Sequence, residues 1–289
     1  MSARAFEPLG AVAPDRLVDA RLQLHHAAQV VASVGKTLLE PRPDDSHPNL
    51  GWNASLRALA GHRIAGDGGF RAALEPAGAR LLLLDAGGDV AAELALEGER
   101  LGGASRWLAR AIEEHFDRAL PAGLDSPGYE LPEHAVGTGA PFTADPDSRA
   151  ELARWLDAAD AVLGDFAART EGASEPRCWP HHFDLATLVT LATRPDGSAT
   201  KTVGLGLSPG DASYAEPYWY VSPWPYPEAS LPLPPLDGGG HWHREGFTAA
   251  ILTGSELVSG APGVAQPERL GAFLEGAFAA SRALLDRDR

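Results

Sequence analysis

The chain has a single cysteine in 289 residues, so no internal disulfide can staple it and packing must hold the fold together. Only Lys36 and Lys201 are lysines, and 24 basic residues face 39 acidic ones, for a formal charge of -15. With no local basic stripe, that balance repels phosphate backbones and anionic lipid, so neither nucleic acid nor membrane is an expected partner. Long apolar runs are missing too: stretches such as Leu81 to Leu84 are far too short to span a bilayer. The opening Met-Ser-Ala-Arg-Ala-Phe-Glu-Pro lacks the apolar core of a secretory signal, and a cytoplasmic location is expected. Nucleotide signatures are also absent, because the glycines at 204, 206 and 210 miss the dinucleotide spacing and no phosphate-loop consensus occurs. Gly206-Leu207-Ser208-Pro209-Gly210 matches the hydrolase elbow in letters only, since a proline after the serine has no N–H to offer an oxyanion. Ser33-Val34-Gly35-Lys36 likewise reproduces S-x-x-K without its companion motifs.

What is present is a hydrophobic content of 44%, enough for a substantial core in one domain or two fused halves. Pro14 opens a helix whose Leu17, Leu24, Ala28 and Val31 recur at helical spacing until Pro41-Arg42-Pro43. Strands are expected at 52–59, 70–74, 81–85 and 90–96, the last two joined across Gly87-Gly88. Ser105 then caps a second helix carrying Leu108, Ala111, Ile112 and Phe116, and a Pro/Gly-rich connector follows from 121 to 146. Beyond it Ser148 with Glu151 makes a capping box for a third helix, and strands are expected at 182–193, 200–207, 217–222 and 246–253. A last helix starts near Pro267. The fold class is therefore α+β, two antiparallel sheets with flanking helices in a single compact domain over 1–289. Its halves, 14–122 and 147–287, share an α-β4-α order that reads either as a pseudo-twofold repeat or as an order that α+β chains reach by chance.

The densest chemistry lies in Cys178-Trp179-Pro180-His181-His182-Phe183-Asp184 and in His241-Trp242-His243, which hold four of the ten histidines. On a strand, side chains two apart share a face, so His182 pairs with Asp184 and His241 with His243. Three imidazoles and a carboxylate are a ligand set for zinc or iron with room for water. The same histidines equally serve as polar filling that bonds backbone carbonyls. Cys178, beside them, is either an activated thiol or a small buried hydrophobe. Asp211 and Glu216 are candidate acid/base carboxylates, with surface solvation as the plain alternative. The aromatic run from Glu216 to Tyr226 reads as a proline-capped edge strand, as the wall of a small-molecule pocket, or as a protein-docking strip. His25 and Gln29, four apart on the first helix, form an inward-facing pair.

Leu24-His25 with Gln29, Phe183-Asp184-Leu185-Ala186 and Ser208-Pro209-Gly210-Asp211 before Glu216-Pro217 together resemble a bacterial domain-of-unknown-function family. Its members show a Leu-His-x-x-x-Gln helix, a His-x-Phe-Asp-Leu-Ala strand and a Pro-Gly turn before an aromatic strand. The resemblance spans nearly the whole chain, although the segment between Gln29 and Gly35-Lys36 is longer here. The second imidazole at His182 departs from the pattern, which makes His181 with Asp184 a competing pairing. What the resemblance implies is the architecture and the place of the site, with no reaction attached. The expected function is a metal-dependent enzyme, hydrolase-like or oxidoreductase-like, acting on a small molecule. The alternative is a non-catalytic module that binds a small molecule or a protein.

Overall fold

The computed structural model describes residues 6–66, 68–260 and 265–287, and its elements are those of an α+β protein. In chain order they are α1 (Val18–Leu38), β1 (Gly51–Asn53), β2 (Ala58–Ala60), β3 (Arg71–Glu75), β4 (Arg80–Leu84) and β5 (Val90–Ala95). Then come α2 (Leu101–Phe116), α3 (Pro146–Arg169), β6 (Arg177–Trp179), β7 (Asp184–Thr193), β8 (Ala199–Ser208) and β9 (Tyr218–Trp224). The order closes with β10 (His241–His243), β11 (Ala249–Thr253), α4 (Gly254–Val258) and α5 (Gln266–Arg287). Two compact units emerge: 1–15 with 158–176 and 184–289, and 16–157 with 177–183. The boundaries fall between Asp15 and Arg16, inside α3, between Pro176 and Arg177, and between Phe183 and Asp184.

In the unit that carries α1, strands β1 to β5 form an antiparallel meander in sequence order. The expected single strand at 52–59 is in fact two, because a turn at 54–57, with Arg57 at φ 50, folds β2 back on β1. Helix α1 packs on β3 and α2, and α2 on β4 and β5. That second helix starts at Leu101, four residues before the expected Ser105 cap, with Arg100 in the capping position. For α3 the expected capping box also shifts: Asp145 accepts from the backbone N and the hydroxyl of Ser148, while Glu151 accepts from Trp155 Nε1 and Arg154. A carboxylate at this place satisfies orphan helix N–H groups as well as the serine could.

In the other unit the strands run β10-β11-β9-β8-β7, all antiparallel. The meander β7-β8-β9 matches the sequential order of the first sheet, but the final hairpin inserts with β11 inside and β10 outermost. The segment expected as one strand at 246–253 supplies only β11, and His241-Trp242-His243 forms a strand of its own. Alternation decides the two faces. Leu205 and Leu207 of β8, Trp219 and Val221 of β9, and Ala250 and Leu252 of β11 stand opposite one another on one face and are fully buried. Helix α5 packs along β8 and β9, with buried Leu270, Phe273, Leu274, Ala277 and Leu284 at helical spacing. Each large apolar side chain buried this way contributes about 1.5–3 kcal/mol. The opposite face is the polar one.

Candidate functional site

The polar face is built by parity. Ala186, Gly206, Tyr220, Ile251 and His241 lie in one cross-strand row from β7 to β10. Residues two away on the same strands, Asp184, Tyr218 and His243, share that face. Tyr220 reaches across β8 and donates its hydroxyl to Asp184 Oδ2 on β7 at 2.5 Å. Gly206 makes the crossing available, since a Cβ there would lie 2.7 Å from the Tyr220 hydroxyl and 2.8 Å from Cζ. Burial, and then the Asp184 charge, push the Tyr220 phenol well above its ordinary value, so it stays a donor. Tyr218 behaves alike: its hydroxyl donates to Asp211 Oδ2 at 2.6 Å, and burial followed by that bond raises it strongly.

Both carboxylates named as acid/base candidates are engaged in shaping the backbone. Asp211 Oδ1 accepts from Ser213 N at 2.7 Å and Tyr214 N at 3.0 Å, which folds the loop between β8 and β9. Glu216 Oε2 accepts from the N–H and the hydroxyl of Ser255 at 2.7 and 2.6 Å, at the start of α4. The elbow-like Ser208 accepts from Gly210 N at 3.2 Å, as a turn serine does.

At the β10 edge, the Tyr214 hydroxyl lies 3.0 Å from His241 Nε2 and 3.0 Å from His243 Nδ1. His243 Nε2 sits 2.7 Å from the Glu245 carbonyl, and a carbonyl can only accept. Neutral His243 therefore carries its proton on Nε2 and presents a bare Nδ1, to which Tyr214 donates. The Tyr214 oxygen is then left to accept from His241 Nε2. His241 Nδ1 is 4.0 Å from Glu256 Oε1, whose other oxygen accepts from Thr253 in a capping box at α4. A hydrogen-bonded line thus runs His241, Tyr214, His243, with the Glu256 carboxylate 4.0 Å beyond its His241 end. It has two settings: when His243 Nδ1 takes up a proton it donates to the Tyr214 oxygen, and the hydroxyl turns to donate to His241 Nε2 once that ring has shifted its own proton from Nε2 to Nδ1, on the Glu256 side. Burial, followed by the nearby Asp211 and Glu256 charges, raises the Tyr214 phenol.

Family models, curated proteins and solved structures yield no match to this chain. Its own geometry has to carry the reading.

Among the donors expected around an ion, His241 and His243 come together. Asp184 shares their face but stands four strands away, roughly 19 Å at about 4.8 Å per strand. Among the described residues no group of three or more His, Cys, Asp or Glu side chains gathers closely enough to hold a metal. The parity expected for His182 and Asp184 fails locally. Phe183 turns left-handed at φ 59, the N–H groups of His182 and Phe183 both donate to the Trp179 carbonyl, and β7 starts only at Asp184.

In its own unit, the His181-His182 turn is anchored from α1. His25 Nε2 and Gln29 Nε2 donate to the Pro180 carbonyl at 2.8 and 2.7 Å, which fills both lone pairs. Burial lowers His25 to about 4, against the opposing pull of the Pro180 bond, so the ring is a neutral donor. Phe183 stacks on His25 with centroids 5.2 Å apart. His181 lies 4.3 Å, ring to ring, from His182 and 5.4 Å from Tyr129, and burial followed by His182 lowers its pKa. Cys178 is fully buried.

Sequence reasoning missed Tyr214 and Glu256. Tyr214 sits in a loop with no periodicity, and its only trace is the Asp211-x-x-Tyr spacing of the turn. Tyr218 and Tyr220 were readable as a polar face, because they alternate with Trp219 and Val221.

Proposed function

We propose that the protein binds a small polar organic molecule at the Tyr214 end of this sheet face and exchanges a proton with it through the Tyr214 hydroxyl. The observation that carries the reading is one phenol at 3.0 Å from each of two imidazole nitrogens, which together can take up or release a proton without moving a strand. Asp184, Asp211 and Glu256 give the face a negative cast, which favours a neutral or cationic ligand over an anion. Tyr218 and Tyr220, held as neutral donors, give the face its rigidity.

A divalent ion such as zinc or iron is the second reading. It is favoured by one feature: His241 Nε2 and His243 Nδ1 both face the Tyr214 hydroxyl, so a swing of that ring and loss of the Nε2 proton would leave two imidazole donors facing one place.

The test is a thermal-shift screen against metabolites, run on the wild type and on Tyr214→Phe. A ligand near a hundred times its Kd adds about 2.7 kcal/mol, a rise of about 4 °C for a chain of this size. The expected result is a neutral or cationic hit whose shift collapses in Tyr214→Phe. Hits that stabilise both proteins equally overturn the proposal. Elemental analysis of untagged protein addresses the ion: stoichiometric metal lost on His241→Ala favours it over the organic ligand.

A further inference from the structure

Beyond the Tyr220 row, the polar face of the β7-β8-β9 sheet changes character toward the other ends of its strands. Leu188, Gly204 and Ser222 stand opposite one another in one cross-strand row, and Thr190, Thr202 and Trp224 in the next. Their parity with Ala186, Gly206 and Tyr220 puts all six on that same face. Trp224 is 56% exposed, Leu188 is exposed as well, and Tyr226 sets its exposed ring edge-on against Trp224 at 5.1 Å. These are three of the four large hydrophobic side chains exposed among the described residues, so apolar exposure gathers here and is not scattered.

Between the Leu188 and Trp224 side chains the surface is low. A Cβ at Gly204 would meet only Leu188 Cδ1, at 3.9 Å, so packing does not demand the glycine. What it leaves is a trough two strand spacings wide, about 10 Å, with Leu188 on one side, Trp224 on the other and Gly204 as its floor. The polar lining consists of hydroxyls. Ser222 Oγ donates to the Thr248 carbonyl at 2.9 Å, which leaves its oxygen free to accept. Thr202 is only 7% exposed, and among the described residues neither its hydroxyl nor that of Thr190 finds a partner. No charged side chain stands in either row, although the chain carries a formal charge of -15.

An indole wall, a floor without a side chain, three hydroxyls and no ion match a sugar ring. The slightly positive C–H bonds on one face of a pyranose pack against the negative face of the indole, while the hydroxyls at its rim exchange hydrogen bonds with Thr190, Thr202 and Ser222. A second copy of this chain would bring the same negative charge, and a purely apolar ligand would leave the buried Thr202 hydroxyl without a partner. We infer that the trough is a binding site for one neutral pyranose ring. It is separate from the Tyr214 relay and does not depend on it.

The experiment uses the full chain with methyl β-D-glucopyranoside as probe, whose equatorial hydroxyls leave axial C–H bonds on both faces, and the corresponding glucuronide as its charged counterpart. Saturable movement of the Trp224 indole N–H resonance is expected with the glucoside, with magnetisation transfer from the indole to the ring C–H protons of the sugar. The glucuronide should bind more weakly. By calorimetry, Trp224→Ala, an exposed change that leaves the core alone, should weaken the glucoside about tenfold or more. Gly204→Val, which raises the floor, should abolish binding while thermal unfolding stays close to that of the wild type, and Tyr214→Phe should leave the affinity unchanged. No movement of the Trp224 resonance up to the solubility limit of the glucoside overturns the inference. So does a glucuronide that binds as tightly as the glucoside, full affinity in Trp224→Ala and Gly204→Val together, or a wild-type dimer that Trp224→Ala breaks.

Discussion

Tyr220 and His25 show how single side chains carry the fold. The Tyr220 hydroxyl donates to Asp184, a carboxylate only 9% exposed, so Tyr220→Phe removes a donor from a buried charge. The expected loss is about 1–3 kcal/mol in urea unfolding, and a change within error would show that Asp184 does not need this bond. His25 provides a pH signature. Its folded value, about 4, lies below the ordinary 6.5, so the unfolded chain takes up a proton that the folded chain refuses. Its contribution is fully present above pH 6.5 and falls as the pH drops toward 4, amounting to about 2 kcal/mol by about pH 5. Burial lowers His26, His62 and His181 in the same direction, so the difference between wild type and His25→Gln isolates this residue. Parallel stability profiles for the two proteins between about pH 7 and 5 would rule the assignment out. The sequence made the pairing of His25 and Gln29 readable, since four-residue spacing puts them on one stripe. Their acceptor, the Pro180 carbonyl, was not readable, because it lies more than 150 residues away on a backbone atom that no side-chain pattern reports.

Among the elements, β7, β8 and β9 depend on one missing side chain. Gly206 lies beneath the Tyr220 ring, and Gly206→Ala should cost about 1–3 kcal/mol through overpacking. In a Tyr220→Ala background the same change should cost less, with the Ala186 Cβ at 2.9 Å keeping part of the clash, and equal costs in the two backgrounds would show that the ring is not what requires the glycine. Helical spacing placed α1, α3 and α5, whereas the run expected as an edge strand is β9, paired on both sides by β8 and β11, with Tyr218 and Tyr220 on its polar face. What remained hidden follows from local competition. Asp145 captures the start of α3 ahead of Ser148, and Phe183, by turning left-handed, breaks the parity that put His182 beside Asp184. In both places a short-range backbone bond outweighs the pattern extrapolated through it.

At the scale of the whole molecule, the order of helix and strand patterns foretold the α+β class. The lack of any long apolar run agrees with a chain in which, among the described residues, no helix is long and apolar enough to cross a membrane. A formal charge of -15 also opposes compaction, so added salt should raise the melting temperature between about 0.01 and 0.15 M ionic strength. A fall over that range would mean that local ion pairs, and not net repulsion, dominate. Strand order was beyond the sequence, since no side-chain pattern says whether β10 or β11 pairs with β9, and the pairing of β11 there is what sets His241 and His243 at the sheet edge beside Tyr214. The account stands on the direction of the hydrogen bonds at this edge, and long-range nitrogen NMR of the labelled protein reads it directly. Neutral His241 and His243 should both carry their proton on Nε2, and Tyr214→Phe should release His241 from that preference while the Glu245 carbonyl keeps His243 in place. A wild-type His243 protonated on Nδ1, or two rings indifferent to the loss of the hydroxyl, would contradict the relay.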